Sequence, residues 1–334
     1  MSEHIHLLPL HRVQVTDAAA WHRVVAASMA HDLPGVPPPG PGHVHAQLTE
    51  PALDSHRLTW SAAAPDGTTV AVAGVRLFTS PTRDHLAELE LHVHPAHRRR
   101  GTGSRLLSAV VAACRTESRR ALIVEAAAGS PGEAFCERWG FRRAMTLDHL
   151  LMRLDRTDEA AHPHPADDAA PPGYRLTGWT GTVPDHLADA FAQAKNAMND
   201  MPMGDLDYGT TAWDGDRVRA MAEVIADRGD TLLTVAAVHD DTTMAGYTEI
   251  VLPQGTPTRA QQYDTAVAPA HRGHGLGLWV KAAMVRRLRA EHPDVLEIET
   301  DNAEDNVHML AVNHRLGYRS YRRTSQFQLD VPAP

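Results

Sequence analysis

Two similar stretches of sequence decide the fold. They are residues 93–103, VHPAHRRRGTG, and residues 267–277, VAPAHRGHGLG, which share seven of eleven positions. A second similar pair follows in the same order, Trp139-Gly140-Phe141 and Leu316-Gly317-Tyr318. The offset is 174 residues for the first pair and 177 for the second. Because two ordered pairs recur at nearly one spacing, the chain is predicted to contain two copies of one fold.

Residues 156–172 separate the two copies. This segment is rich in Pro, Asp, Ala and His and poor in large apolar side chains, a composition typical of a linker. We therefore predict domains at residues 1–155 and 173–334. In each half the pattern indicates helices first, then an antiparallel meander, then alternating strands and helices. This order predicts a mixed α/β domain, with strands at Leu86–Val93 and Gln261–Val267 directly before the two loops.

The composition is that of a globular protein, with 43% hydrophobic and 22% charged residues among 334. A formal net charge of -9 argues against nucleic acid as the main partner, because phosphate binding requires a basic face. No apolar run approaches the ~20 residues that cross a bilayer, and the first residues do not resemble a secretory signal. Cys114 and Cys136 are the only cysteines, too few for a disulfide framework or a zinc site. We predict a cytoplasmic protein without a metal site.

In both halves an apolar strand ends near a Pro and is followed by a basic, glycine-spaced loop and a helix. Glycines let backbone amides approach a ligand, and a helix start supplies unpaired N–H groups and a positive dipole end. These features suit a diphosphate. A P-loop and a dinucleotide fingerprint do not fit, because Gly-Lys-Ser/Thr is missing and the loop follows three or four strands. The candidate binding residues are Arg98, Arg99, Arg100, Gly101, Thr102, Gly103 and Ser104 in the first half, and Arg272, Gly273, His274, Gly275, Leu276, Gly277 and Leu278 in the second.

The pattern Arg-x-x-Gly-x-Gly at residues 98–103 and 272–277 resembles the diphosphate signature of the GNAT superfamily of acyl-CoA-dependent N-acyltransferases. The resemblance covers nearly the whole chain, and the tandem arrangement is similar to that of mycothiol synthase. It implies two GNAT-like domains, each a splayed, mostly antiparallel sheet flanked by helices, with acetyl-CoA as the cofactor. It also implies that pantetheine is hydrogen-bonded along the strand before each loop, at Leu91 and Val93 or at Thr265 and Val267.

The same family often has an Asn near pantetheine and, seven residues later, a Tyr that protonates the departing thiolate. In the second half these positions hold Asn306 and Asn313, and in the first half Gly129 and Cys136. A thiol has a pKa near ~8.5, so a thiolate can leave without full protonation. Because Asn306 is retained, the resemblance favours the second half as the catalytic one.

The reaction requires a neutral amine, because an ammonium ion has no lone pair with which to attack a thioester. Glu90 and Asp264 each lie three residues before the last valine of their strand. Either could remove the proton, or each could form an ion pair with a nearby Arg. The N–H of Val267 is predicted to stabilise the oxyanion. The resemblance implies that the connection after the first helix, here the acidic segment Asn196–Arg217, overhangs the acceptor site, where its charge would attract a cationic amine.

Three groups of residues have a second interpretation. The arginines at 98–100 could bind nucleic acid, His92, His94 and His97 could hold a metal, and Cys136 could be reactive or a core residue. The predicted function is direct transfer of an acetyl group from acetyl-CoA to the amine of a small acceptor. The first half would bind the cofactor without reacting, or only buttress the second. The alternative is a non-catalytic acyl-CoA-binding or sensing protein, which the missing Tyr in both halves favours.

Overall fold

The computed structural model describes residues 6–10, 12–50, 52–154, 170–240 and 243–332. Apart from its last three residues, the predicted linker at 156–172 lies outside the described residues. None of the helices in the described part of the chain combines the length and the hydropathy that crossing a bilayer requires.

The helices and strands are numbered along the chain. Up to residue 154 they are β1 (His6–Pro9), α1 (Val15–Asp32), α2 (Pro41–Thr49), β2 (Ser55–Ala63), β3 (Thr69–Phe78), β4 (Leu86–Val93), α3 (Thr102–Thr116), β5 (Ala121–Ala127), α4 (Pro131–Arg138) and β6 (Arg142–Arg153). From residue 170 onward they are β7 (Tyr174–Thr180), α5 (Ala188–Lys195), α6 (Gly215–Asp227), β8 (Thr231–His239), β9 (Met244–Leu252), β10 (Arg259–Val267), α7 (Leu276–Glu291), β11 (Glu297–Ala303), α8 (Val307–Arg315) and β12 (Arg319–Asp330). Both strands that were predicted to precede the loops are present.

The chain packs as two compact units, and neither is continuous in sequence. Unit 1 contains Met1–Thr146, Gly204–Gly209 and Thr324–Pro334, whereas unit 2 contains Leu147–Met203 and Thr210–Arg323. These units are defined by packing, whereas the predicted domains are sequence repeats, and the predicted boundaries at 155 and 173 stay a prediction.

Unit 1 has the strand order β1-β2-β3-β4-β5-β12. All neighbours are antiparallel except β4 and β5, which are parallel. The residues Thr324–Asp330 of β12 pair with β5 and complete this sheet. Helix α3 packs its apolar stripe, which includes Leu106 and Val110, on one face of the sheet. Helix α1 contacts Val72 on the opposite face through Trp21, because neighbouring side chains of a strand alternate between faces.

Unit 2 has the strand order β6-β11-β10-β9-β8-β7. Its neighbours are also antiparallel except for one parallel pair, β10 and β11. The residues Leu147–Arg153 of β6 pair with β11. Helix α7 packs Val280 and Met284 on one face, and α5 packs Phe191 against Tyr247 on the other. The predicted mixed α/β class with two similar, mostly antiparallel sheets is confirmed.

The sequence does not predict β1 or α2. Strand β1 has four residues, too few to show an alternating pattern. Helix α2 begins with Pro41 after Gly40 and buries only Val44, so it lacks the apolar stripe by which amphipathic helices are found.

Candidate functional site

The parallel strands β10 and β11 of unit 2 separate after three residues. They pair over Arg259–Gln261 and Glu297–Glu299, and within the described residues their pairing ends there. Beyond this point β11 continues along β6 as far as Ala303, whereas β10 continues along β9 as far as Val267. The backbone of β10 that faces away from β9 therefore borders an opening between the two strands.

A β-bulge interrupts β10 beside this opening. The register of β10 against β9 shifts by one residue between Gln262 and Thr265. After the bulge, the Ala268 N–H donates to the Ala245 carbonyl at 2.8 Å. Because bonded and non-bonded pairs alternate along an antiparallel ladder, the N–H groups of Thr265 and Val267 point away from β9 and into the opening.

The glycine loop of unit 2 leads from β10 into α7. Gly273 and Gly275 have φ angles of 84° and 76°, in the left-handed region that favours glycine. The Trp279 N–H donates to the Gly275 carbonyl at 3.1 Å, so the preceding amides of residues 276–278 have no acceptor within the helix. Three N–H groups at the positive end of a helix dipole form a site for an anion.

Arg272 and His274 of this loop contact backbone carbonyls. Arg272 Nε donates to the Val267 carbonyl at 3.2 Å, and His274 Nδ1 lies 3.1 Å from the Arg272 carbonyl. Arg272 Nη2 also donates to Asp200 Oδ2 at 2.8 Å, with the two side chains 51% and 52% exposed. The guanidinium is therefore held beside the end of β10 and remains open to solvent.

The strands of unit 1 also separate, but without a bulge. Strand β4 pairs with β5 over Leu86–Leu89 and Ala121–Val124. Its register with β3 is continuous from Ala87 to Val93. The His94 N–H donates to the Val70 carbonyl at 2.9 Å, so the same alternation points the N–H groups of Leu91 and Val93 away from β3.

In the loop of unit 1 a non-glycine residue, Arg99, adopts the left-handed conformation that Gly273 adopts in unit 2. Arg99 has a φ of 63°, and Gly101 has a φ of 81°. The Arg105 N–H donates to the Gly101 carbonyl at 3.1 Å, which leaves the amides of residues 102–104 without an acceptor in α3. Arg99 and Arg100 are exposed. The backbone of this loop therefore also forms an anion site.

Arg98 of unit 1 is more firmly bound than Arg272. Its guanidinium donates to both carboxylate oxygens of Asp32 at 2.7 Å, to Ser28 Oγ at 3.0 Å and to the Val93 carbonyl at 3.0 Å. Burial opposes ionisation of Asp32, but the hydrogen bonds from Arg98 and His31 lower its pKa below the ordinary value. Arg98 thus links α1 to the end of β4.

A buried cluster of three charged side chains surrounds the bulge of unit 2. Lys195 Nζ donates to Glu249 Oε2 at 2.6 Å and to Asp264 Oδ2 at 2.8 Å. The Tyr247 hydroxyl donates to the same oxygen of Asp264 at 3.5 Å. Lys195 is 4% exposed and Asp264 is 34% exposed. Asp264 is therefore the member of the cluster that solvent and ligands can reach.

The surroundings of this cluster are aromatic. Lys195 Nζ lies 4.5 Å from the ring centroid of Trp213, 5.1 Å from that of Tyr247 and 5.5 Å from that of Phe191. Burial raises the pKa of Glu249, and Asp264 raises it further although Lys195 opposes both. Burial alone would lower the pKa of Lys195, but Asp264 and Glu249 together raise it. The lysine therefore stays charged between two carboxylates.

Sequence reasoning identified Asp264 but missed Lys195 and Glu249. Lys195 ends α5 among the buried residues Phe191, Ala192 and Ala194. Glu249 lies in β9, a strand that is buried along all of its residues except Leu252. A charged residue inside an apolar pattern was the available signal, because such a residue is seldom buried without a partner.

A second buried lysine supports the bulge from the other face of the sheet. Lys281 Nζ on α7 donates to Gln262 Oε1 at 3.0 Å, and Gln262 Nε2 donates to Thr248 Oγ1 at 2.9 Å and to the Glu249 carbonyl at 2.6 Å. Burial lowers the pKa of Lys281 to about 7. This lysine was not predicted either.

Glu90, the counterpart of Asp264 in unit 1, has different partners. Arg57 Nη1 lies 3.3 Å from one carboxylate oxygen and His92 Nε2 lies 3.6 Å from the other. Burial would raise the pKa of Glu90, but His92 and Arg57 lower it to about 2. Across the described residues, no three His, Cys, Asp or Glu side chains converge as metal ligands would, and this includes the group around His94 and His97.

The family resemblance associates Asn306, Asn313 and Cys136 with the positions near the leaving thiol. Asn306 caps a helix, and the other two are buried. Asn306 caps α8, where its Oδ1 accepts from the Met309 N–H at 3.3 Å. Asn313 is fully buried, and its Nδ2 donates to Asn302 Oδ1 at 2.6 Å. Cys136 is buried, and burial raises the pKa of its thiol to about 12. At neutral pH this cysteine is a thiol in the core.

The acidic segment Asn196–Arg217 is divided between the two units, because residues 204–209 belong to unit 1. Asp200 pairs with the loop arginine described above. Asp214 caps α6. These two carboxylates have partners within the protein. The negative charge that the segment can present to an amine is therefore smaller than its net charge.

Comparison with known proteins identifies the family to which the chain belongs. The sequence profile of the Acetyltransferase (GNAT) family matches residues 27–141 and 200–318, and so includes both loops. The mycothiol acetyltransferase of Frankia casuarinae is 29% identical over 259 residues, which cover 75% of this chain and 70% of the relative. The mycothiol acetyltransferase of Clavibacter sepedonicus is 30% identical over 247 residues, which cover 70% and 69%.

Solved structures extend the similarity to the tandem arrangement. A tandem GNAT protein from the clavulanic acid biosynthesis pathway superposes with a TM-score of 0.81 at 26% identity and covers 99% of both chains. A GCN5-related N-acetyltransferase from Sphaerobacter thermophilus shares the fold with a TM-score of 0.72 at 19% identity, covering 98% of this chain and 97% of that one. The resemblance predicted from the two loops is confirmed, and the chain is an acyltransferase that belongs to the GNAT acetyltransferase family.

Proposed function

We propose that the protein is an N-acetyltransferase that transfers the acetyl group of acetyl-CoA to an amine of a small acceptor, and that unit 2 carries the reaction. The names of the mycothiol acetyltransferases and of the clavulanic acid pathway protein support a small-molecule acceptor. The cytoplasmic location stays a prediction from the sequence.

The backbone of unit 2 supports the binding of coenzyme A. The amides of residues 276–278 and the left-handed glycines before them suit a diphosphate. A side chain at Gly277 would meet only Val267 Cγ2 at 3.7 Å, so the approach to these amides is open. Thr265 and Val267 present backbone groups to the opening, where pantetheine would be hydrogen-bonded. The family resemblance adds Asn306 to this set.

In the proposed mechanism Asp264 takes the proton of the acceptor. The nitrogen must be neutral before its lone pair attacks the thioester carbon, and Asp264 presents a partly exposed carboxylate on the bulge. The Val267 N–H stabilises the negative charge that develops on the carbonyl oxygen. The C–N bond forms, the C–S bond breaks, and the second proton, which the nitrogen loses as it becomes an amide, goes to the departing thiolate. Because a thiol has a pKa near ~8.5, the thiolate can leave although Asn313 is no acid.

The bulge in β10 is the observation that carries this proposal. In the bulged strand Asp264 lies within hydrogen-bond distance of Lys195, whereas β4 is regular and its Glu90 pairs with Arg57. In unit 1, Leu91, Val93 and the loop at 98–104 support binding of coenzyme A. Glu90 is held by Arg57 and His92, so we propose that unit 1 binds without reacting or supports unit 2.

The test measures thiol release from acetyl-CoA with a panel of alkylamines, amino alcohols and amino sugars. Gly277→Glu places a carboxylate among the amides at the start of α7. Gly103→Glu is the corresponding change at α3, where the new side chain also meets the Phe135 ring at 3.5 Å. We expect Gly277→Glu to raise the KM for acetyl-CoA at least tenfold more than Gly103→Glu does, about 1.4 kcal/mol in binding. Tight binding of acetyl-CoA without turnover of any amine would instead support the sensing protein and contradict the proposal.

A further inference from the structure

Lys195 pairs with two carboxylates, those of Glu249 and of Asp264, the proposed proton acceptor. Glu249 and Lys195 are buried, and only Asp264 extends to the surface. With the lysine charged and both carboxylates ionised, the cluster has a net charge of one negative unit. The aromatic rings around Lys195 keep water away from it, and charge interactions are strong in such surroundings.

We propose that Lys195 and Glu249 are positioning residues through which Asp264 binds the acceptor as an ammonium ion and passes on its proton. The inference rests on the proposed function and names its substrate class, an amine that is cationic at neutral pH. The net negative cluster attracts this cation, and the same cluster then accepts the proton that the cation must lose.

The groups that face Glu249 define how it titrates. They are Lys195 from α5 and Asp264 from β10, and the Tyr247 hydroxyl on its own strand also contacts Asp264. Helix α6 and strand β8 contribute apolar groups, and a cavity of about 10 Å³ beside the carboxylate is lined by apolar residues that include Val218, Met221, Ala222 and Leu232. Such surroundings raise the pKa of Glu249 above its ordinary value, so this carboxylate accepts a proton more readily than one in water does.

The proton transfer balances within the cluster. The ammonium nitrogen gives one proton to Asp264 and becomes the nucleophile. Lys195 then gives a proton to Glu249, and Asp264 returns one to Lys195. The net result is a neutral amine, an ionised Asp264, a charged Lys195 and a protonated Glu249, so the base is regenerated. After the products leave, Glu249 returns the proton through Lys195 and Asp264 to solvent, and the cluster is ready for the next turnover.

Unit 1 lacks this capacity for a chemical reason. Glu90 is paired with Arg57, and a guanidinium does not give up a proton in a protein. A lysine between two carboxylates can relay a proton, whereas an arginine in the same place can only hold its partner.

The experiment uses the full chain and two nucleophiles. One is the amine that the wild-type protein acetylates fastest in the panel, and the other is methoxyamine, which is already neutral at pH 7. The variants are Glu249→Gln, which removes the buried charge, and Lys195→Arg, which keeps the charge without the relay. Glu88→Gln in unit 1 is the matched control, because Glu88 is also partly buried, pairs with Arg76 and accepts from Tyr208.

We expect Glu249→Gln to raise the KM for the cationic amine about tenfold and to move the acid limb of kcat/KM to lower pH. The limb moves down because the buried negative charge of Glu249, which disfavours a second ionised carboxylate beside it, is removed. Lys195→Arg should lower kcat about tenfold with little change in that KM. Rates with methoxyamine should stay within twofold for both variants, and Glu88→Gln should match the wild type.

Two results would overturn the inference while the proposed function survives. One is an unchanged acid limb and amine KM in Glu249→Gln. The other is an equal loss with both nucleophiles in folded protein, verified by thermal unfolding, which would show a structural role alone. If the wild-type protein acetylates no amine, the proposed function itself fails.

Discussion

The two glycine loops share most of their sequence, yet the strands that lead into them differ by one residue. Strand β10 contains an extra residue at its bulge, whereas β4 follows its neighbour without interruption. In β10 the extra residue occurs where Asp264 meets Lys195 and Glu249. In β4 the equivalent Glu90 lies in a regular ladder beside Arg57. The glycine loop is thus similar in both halves, whereas the carboxylate before it pairs with a lysine in one half and with an arginine in the other.

The largest difference between the halves is expected in turnover. Asp264→Asn removes the proposed proton acceptor and should lower kcat about 100-fold or more, the usual contribution of a general base. Glu90→Gln should change kcat less than about threefold, because Glu90 is occupied by its ion pairs. Steady-state assays at pH 7 compare the two. Equal losses would show that both halves react.

The next difference is in stability and its dependence on pH. The folded state holds the pKa of Glu90 at about 2, below the ordinary value of 4.5. Its ionised form therefore contributes stability above about pH 4.5, and this contribution is lost as the pH falls towards 2. Glu90→Gln should lower the free energy of unfolding by about 1–3 kcal/mol at pH 7, and by about half as much at pH 3. Urea unfolding at both pH values measures this. A deficit independent of pH would contradict the ion-pair role.

The two loop arginines should separate stability from substrate binding. Arg98 is 18% exposed and bound by both oxygens of Asp32, so Arg98→Met should cost about 1–2 kcal/mol. Arg272 forms one exposed pair, so Arg272→Met should cost less than about 1 kcal/mol while raising the KM for acetyl-CoA. Thermal unfolding and the acetyl-CoA KM are measured for both variants. An unfolding midpoint lower for Arg272→Met than for Arg98→Met would contradict the stabilising role assigned to Arg98.

The smallest expected effect concerns the left-handed position in each loop. Arg99 adopts the conformation that Gly273 adopts in unit 2, and this conformation is strained for residues with a Cβ. Arg99→Gly should change stability by less than about 1 kcal/mol, because relief of strain is offset by the greater freedom of unfolded glycine. Gly273→Ala should destabilise by about 1 kcal/mol. The midpoints of thermal unfolding of the two variants show which substitution costs more stability.

The parts predicted well from the sequence are those encoded locally. Strand β4 has the predicted bounds, and both loops are identified by glycines and arginines that lie within a few residues of one another. The bulge in β10 is not predictable in this way, because a slip of one residue depends on its partner strand. The cluster of Lys195, Glu249 and Asp264 is also missed, since its members are far apart in sequence and meet only when α5 packs on the sheet.

The exchange of final strands between the repeats affects how the chain folds during translation. Strand β5 leaves the ribosome early, but its partner Thr324–Asp330 is synthesised only after all of unit 2. Until then β5 has a free edge, which can pair with other chains. The late synthesis of Thr324–Asp330 therefore leaves β5 open to pairing with other chains until translation is complete.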